Sequence, residues 1–190
     1  LKNLCDRYKI LLFIDEVQCG FGRSGKLFSY EWSNIEPDIM AIAKGMGSGF
    51  PMGACLATNN ASIEMTKGRH GSTFGGNPLA ISVGKAVIDE IMTDGFLQNV
   101  NKVSQYLWKK LQELKYEFDE IVEIRGAGLL LGIKTKTNNL TINELFTENG
   151  LLTITANDNV IRLSPPLIIT NKEVDEAIKI IQKVLRDIND

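Results

Sequence analysis

Residues 11–27 read LLFIDEVQCGFGRSGKL, and the meaning of this stretch decides the fold. An apolar run, Ile10–Ile14, leads into Asp15 and Glu16, and a glycine-rich segment follows. Within it, GFGRSG (residues 20–25) matches G-x-G-x-x-G, the loop that presents helix N–H groups to a dinucleotide pyrophosphate. Extended by Lys26, the same residues match G-x-x-x-x-G-K, most of a triphosphate-binding loop. Both readings are tested by what flanks the glycines.

Neither motif has its context. A dinucleotide loop places its first glycine at the end of the strand and opens a helix at once. Here Asp15-Glu16-Val17-Gln18-Cys19 intervene, and the residues after Gly25, KLFSYEWSNIEPD, show no helical stripe. Glu36 or Asp38 could supply the acidic ribose ligand, but such residues are common. A triphosphate loop needs Ser or Thr after its lysine to hold Mg²⁺, and Leu27 stands there instead. A nucleotide-binding role for Gly20–Lys26 is kept as the alternative from a different functional class.

The residues between strand and glycines carry more chemistry. Asp15 ends an apolar strand, where open α/β sheets place their ligands, and a carboxylate there costs desolvation unless it meets a cation or donors. If the backbone stays extended, Asp15 and Val17 share a face. An acid beside a small apolar wall suits a protonated heteroaromatic ring; an aspartate capping the next turn is the equal alternative. Residues 41–54, AIAKGMGSGFPMGA, hold a second such place, with Lys44 directly after another apolar run and before Gly45, Gly47 and Gly49. A partly desolvated lysine at a strand end can act as a nucleophilic amine; a surface lysine in a flexible loop is its plain alternative.

Composition narrows the class. The chain has 190 residues, 44% hydrophobic and 23% charged, as ordinary globular proteins do. A net charge of −2 leaves no electrostatic footprint for nucleic acid or an anionic membrane. Wholly apolar runs reach only five residues, too short for a membrane span. Cys5, Cys19 and Cys55 form no C-x-x-C, which favours reduced thiols in or near the core of a cytoplasmic protein over disulfides or a metal site. His70 is the only histidine, so no serine–histidine triad is available, and it reads as structural. The chain opens on Leu1 without an initiator methionine or signal pattern. It is therefore expected to be part of a longer chain and to be unstable or inactive by itself.

Hydrophobic patterning predicts strands at Ile10–Ile14, Ile39–Ala43 and Ala54–Ala57, the first two covered on both faces. Asn77-Pro78 opens a helix with Leu79, Val83, Ala86, Val87 and Ile91 on one face. A long amphipathic helix follows, carrying Leu97, Val100, Leu107, Leu111, Leu114 and Phe118. Strands are expected at Ile121–Arg125, Leu129–Lys134, Leu151–Thr155 and Val160–Leu163. Thr141–Glu144 reads as the capping box of a short helix ending at Asn149-Gly150, and Thr170–Glu173 as that of the last helix. The fold class is α/β to about residue 92, then a smaller α+β unit over 93–190.

IDEVQCGFGRSGKLF, AKGMGSGFPMGA, HGSTFGGNPLA and IRGAGLLLGI, in this order, resemble the class III aminotransferases, pyridoxal-phosphate (PLP) enzymes of the aspartate-aminotransferase fold, fold type I. Residues 150–170, GLLTITANDNVIRLSPPLIIT, most resemble members acting on N²-acetylornithine. The resemblance spans essentially the whole chain. It implies that residues 1–92 are the C-terminal part of the PLP-binding large domain, with the interdomain helix, and 93–190 the small C-terminal domain. The family's phosphate loop, ring-stacking aromatic and acidic side-pocket residue would lie outside these residues.

The resemblance also implies roles. Asp15 pairs with the pyridine nitrogen, Val17 packs on a ring face, and Gln18 bonds the ring's phenolic oxygen. Lys44 bonds the cofactor's aldehyde carbon and, once released by substrate, shuttles a proton. Thr73 binds the PLP phosphate of a neighbouring subunit, which makes a homodimer with shared sites. Arg162 grips the substrate's α-carboxylate, while Arg125 is structural. The implied activity is ping-pong transfer of the terminal amine of N²-acetylornithine to 2-oxoglutarate in arginine biosynthesis. Ornithine, succinylornithine and 4-aminobutyrate are rival donors, and a non-catalytic remnant that pairs with other chains is a further possibility. Metal, nucleic acid and membrane are not called for. GFGRSGKL then becomes a loop near the active site, its glycines serving turns and close packing.

Overall fold

Short apolar runs with glycine-rich exits build the first sheet. Phe13–Asp15 (β1) and Ile39–Ile42 (β2) pair in parallel, with Phe13 opposite Ile39 and Asp15 opposite Ala41. Ala54–Ala57 (β3) joins the other edge of β2 antiparallel, giving the order β1-β2-β3. The computed structural model describes residues 1–189 and divides into two compact units, Leu1–Leu97 and the residues from Gln98 onward.

In the first unit the core gathers on one face of this sheet. Met40 and Ile42 are buried with Phe21 and Ile91, and Val87, Leu27, Phe28, Phe96 and Leu97 pack around them. The opposite face is less covered: Phe13 is 55% exposed, Ile39 and Ala41 are half-buried, and every residue of β3 is exposed, Cys55 included. The expectations of strands covered on both faces and of Cys55 in or near a core are therefore corrected. Only one side of the sheet receives a helix and loops. The first strand is also shorter and later than Ile10–Ile14, because residues 2–8 form a helix that the apolar pattern does not announce (α1, Lys2–Tyr8). It buries no residue and is tied down by Lys2, whose amine lies 3.1 Å from Asp38.

Asn77 caps the next helix (α2, Pro78–Ile91) by accepting the Ala80 N–H at 2.9 Å, with proline at the first turn. Its buried side is Ala80, Gly84 and Ile91, so Leu79, 62% exposed, lies off the expected face. The long helix (α3, Phe96–Glu117) buries Val100, Leu107, Leu111 and Leu114 at the expected spacing. Its first turn belongs to the first unit, since Phe96 and Leu97 pack on that core. This moves the division five residues past the expected border at residue 92.

The second unit is an antiparallel sheet, ordered β4-β5-β7-β6, made of Ile121–Ala127 (β4), Leu130–Thr135 (β5), Ile154–Ala156 (β6) and Val160–Leu163 (β7). Gly126 has φ +127°, and a Cβ there would stand 2.1 Å from the Leu130 carbonyl, so the tight β4–β5 hairpin requires glycine. Ile124, Leu131, Ile133, Ile161 and Leu163 form the buried face, with Val174, Ile181, Val184 and Leu185 of the last helix (α5, Asn171–Asn189) also buried.

Thr170 and Glu173 do cap α5 reciprocally. The Glu173 carboxylate accepts the Thr170 N–H at 2.8 Å, and the Thr170 hydroxyl accepts the Glu173 N–H at 3.3 Å. The other expected box is corrected. Helix α4 (Asn139–Glu148) starts earlier, capped by Asn138, which accepts the Leu140 N–H at 2.9 Å; Thr141 lies inside the first turn. Leu151–Thr153 also stay outside the sheet, because Leu151 donates to Phe146 O at 2.8 Å to close the end of α4.

Candidate functional site

Asp15 is the last residue of β1, and its own side chain ends the strand. Its Oδ1 accepts the Val17 N–H at 2.9 Å, which turns the chain at residues 17–20. The extended path that would put Asp15 and Val17 on one face is thus replaced by a turn. The carboxylate remains exposed, and Oδ2 has no hydrogen bond among the described residues.

Its neighbour takes the opposite course. Adjacent residues of a strand alternate faces, so one of two consecutive acids must point inward, and that one is Glu16, at 0% exposure. Its Oε1 accepts the Tyr30 N–H at 2.9 Å and its Oε2 accepts the Cys19 thiol at 3.2 Å. Burial pushes the Cys19 thiol above its ordinary pKa, which keeps it a donor. Glu16 therefore anchors the turn carrying Gln18 to the segment at residue 30. The sequence reading passed over it, although the alternation of the Asp-Glu pair was the signal that could have found it.

Lys44 follows β2 by one extended residue, Ala43, and itself adopts φ +43° at the head of a single 3-10 turn, Lys44–Gly47. A lysine in the left-handed region costs about 1–2 kcal/mol, so the surrounding turn holds it there. The side chain is exposed, which corrects the expectation of a partly desolvated amine. What restrains it is a hydrogen bond: Nζ donates to Gln18 Oε1 at 2.5 Å. Asp15, Gln18 and Lys44 are thus presented by the turns that leave the C-terminal ends of two adjacent parallel strands. Open α/β sheets bind ligands at that edge.

The glycine loop is a packing device. The Gly20 amide donates to Glu16 O, Gly22 to Leu27 O, Arg23 to Gly20 O and Gly25 to Gly22 O. Amides spent inside the loop cannot cradle a phosphate, and only a short 3-10 turn, Ser29–Ser33, follows. Lys26 lies over the Trp32 ring, 5.1 Å from its centroid. Asp38, a candidate ribose ligand, accepts the Leu12 N–H at 2.8 Å. Gly20 and Gly45 both sit in crowded places, each against its own neighbours. A Cβ on Gly20 would stand 2.9 Å from Glu16 O, and one on Gly45 3.0 Å from Phe21 Cβ. Buried Phe21, itself at φ +54°, is what Gly45 packs against.

The remaining predicted residues stand on other elements of the chain. Thr73 and His70 are exposed in the segment before α2, where Gly76 turns the chain at φ +70°. Arg162 is central in β7 of the second unit, opposite Gly132 on β5 and Ile154 on β6. Its Nε is buried with no hydrogen-bond partner among the described residues, and it lines a cavity of about 430 Å³ with Leu107, Leu151, Ile154 and Pro165. An unspent guanidinium donor is a place for an acceptor. Arg125 is paired instead, its Nη1 lying 3.0 Å from Asp158 Oδ2. Among the described residues no helix is long and apolar enough to cross a membrane.

The donor set fits the cofactor that the sequence motifs imply. An exposed carboxylate suits a pyridinium N–H, a primary amine suits an aldehyde, and the Gln18 amide still has its two N–H donors for a phenolic oxygen. A family model described as aminotransferase class III matches residues 1–185. The chain is 54% identical over 179 residues to the acetylornithine aminotransferase of Mesorhizobium japonicum, covering 94% of this chain and 45% of that protein. It is 49% identical over 183 residues to that of Brucella melitensis, covering 96% and 45%. Acetylornithine aminotransferase from Elizabethkingia anophelis shares its fold at TM-score 0.89 and 33% identity, over 98% of this chain and 48% of that one. Plasmodium falciparum ornithine delta-aminotransferase does so at 0.89 and 35%, over 97% and 49%. The chain spans somewhat less than half the length of the curated relatives it matches. With motifs, sheet topology and the strand-edge lysine and aspartate all in agreement, the chain belongs to the class III aminotransferases.

Proposed function

We propose that the protein is a PLP-dependent aminotransferase that moves the terminal amino group of N²-acetylornithine to 2-oxoglutarate, as a step of arginine biosynthesis in the cytoplasm. The carrying observation is the Lys44 amine held by Gln18 at the strand edge that also bears Asp15. The chemistry that bound PLP supplies is an electron sink for the pair released when the C–H bond beside the transferred amine breaks.

This chain's residues serve that chemistry in distinct ways. Asp15, with Oδ1 engaged by Val17, has Oδ2 to keep a proton on the ring nitrogen. Gln18 orients the ring through its phenolic oxygen, and Val17 supplies an apolar wall. The Lys44 amine carries the proton between substrate carbon and cofactor, a role that demands a neutral nitrogen and a short path. Thr73 binds the phosphate in the neighbouring subunit of a homodimer, and Arg162 holds the substrate carboxylate through its guanidinium fork. The names of the relatives from Mesorhizobium japonicum and Brucella melitensis favour acetylornithine over ornithine as the donor.

Borohydride reduction of the full-length, PLP-loaded protein should fix the cofactor on Lys44 in a peptide map; a label on another lysine defeats the assignment. Rates with acetylornithine, ornithine, succinylornithine and 4-aminobutyrate should then rank acetylornithine first. A higher kcat/KM for any of the others reassigns the donor.

A further inference from the structure

Two asparagines clamp the strand that carries Arg162. The β6–β7 turn, Asn157–Asn159, is left-handed at both Asp158 (φ +64°) and Asn159 (φ +56°), a conformation asparagine tolerates better than most residues. The Asn159 amide donates to Thr135 O at 2.7 Å and to Thr137 O at 2.8 Å, and its Oδ1 accepts the Asn139 N–H at 2.8 Å. The Asn139 side chain in turn donates to Ala156 O at 2.8 Å and Val160 O at 3.1 Å, the carbonyls of the pair that closes the turn. One end of β7 is thereby fastened to the end of β5 and to the start of α4.

The strand so fastened has one register. Val160 lies opposite Lys134 and Arg162 opposite Gly132, and a slip of one residue would carry Arg162 to the other face. The residue facing Arg162 must also be small, because a Cβ on Gly132 would stand 2.8 Å from Val160 Cγ1. Arg125, also opposite Gly132, has its charge met by Asp158, whereas Arg162 makes no ion pair among the described residues. The sheet spends one arginine on its own turn and leaves the other unspent.

The geometry points to Asn159, backed by Asn139, as a positioning residue that sets carboxylate affinity through Arg162. This rests on the reading of Arg162 as the carboxylate ligand. The test uses the full-length PLP-loaded enzyme and steady-state kinetics with 2-oxoglutarate varied. Asn159→Gly keeps the positive φ open and removes only the side-chain bonds. It should raise the KM for 2-oxoglutarate about tenfold, keep kcat within about twofold and leave the absorbance of bound cofactor unchanged. Asn139→Ala, which loses two bonds, should move KM the same way by less. In an Arg162→Ala background Asn159→Gly should change KM less than about twofold, because a residue acting through the arginine has nothing left to act on. Equal KM shifts in both backgrounds, or a loss in kcat alone while Arg162→Ala raises KM, would overturn the inference. An unchanged KM in Arg162→Ala would instead overturn the reading of Arg162 itself.

Discussion

Lys44 Nζ and Gln18 Oε1 lie 2.5 Å apart, joining the turns after β1 and β2. The amine is exposed and its backbone is left-handed, so this bond is what defines where the nitrogen stands. Lys44→Ala should therefore abolish turnover in the full-length enzyme, whereas Gln18→Ala should lower kcat about tenfold with the cofactor still bound. Single-turnover absorbance changes on mixing with the amine donor check this. A Gln18→Ala enzyme with wild-type kcat would show that the bond positions nothing.

Glu16 carries the opposite burden, since it is sealed from solvent and serves only its neighbours. Glu16→Ala leaves the Tyr30 amide without its acceptor, leaves the Cys19 thiol only its bond to Asp15 O at 3.4 Å, and removes a fully buried side chain. A loss of about 1–3 kcal/mol follows from the orphaned amide. Glu16→Gln keeps the shape and one acceptor and should lose less. Urea midpoints of the full-length variants decide, and a change below about 0.5 kcal/mol for Glu16→Ala would remove Glu16 as an anchor.

Acid should loosen the second unit at the β6–β7 turn. Hydrogen bonds from Lys134 and then Arg125 hold the Asp158 carboxyl below its ordinary value. A depressed folded pKa stabilises the fold above the unfolded value, about 3.9 for aspartate, and that contribution is lost as pH falls through the folded one. Below about pH 4 the wild-type melting temperature should thus fall faster than that of Asp158→Asn, and added salt should narrow the difference. Parallel melting curves for the two proteins across pH 2–6 would exclude the effect.

The sequence made the helices legible where an amphipathic stripe met a local cap, as at Asn77-Pro78 and at Thr170–Glu173. It misjudged places where competing caps stand close together. Asn138 outcompetes Thr141 because its side chain already serves the Leu140 amide one turn earlier. The strands of the first sheet were legible, Ala54–Ala57 among them, but their exposure was not, since an apolar run announces burial but not which face receives it. For the site, the order Asp15, Gln18, Lys44 was visible as motif. The Lys44–Gln18 bond was not, because it joins residues 26 apart whose turns meet only after β1 and β2 pair.

Phe21 and Gly45 have a consequence for anyone rebuilding this site by directed evolution. Their loops are separated in sequence but fill a common volume, so a library that varies one motif while freezing the other samples mostly collisions. A larger side chain at position 45 becomes admissible once position 21, already at positive φ, is glycine. Positions 21 and 45 are a single mutational unit and should be randomised together.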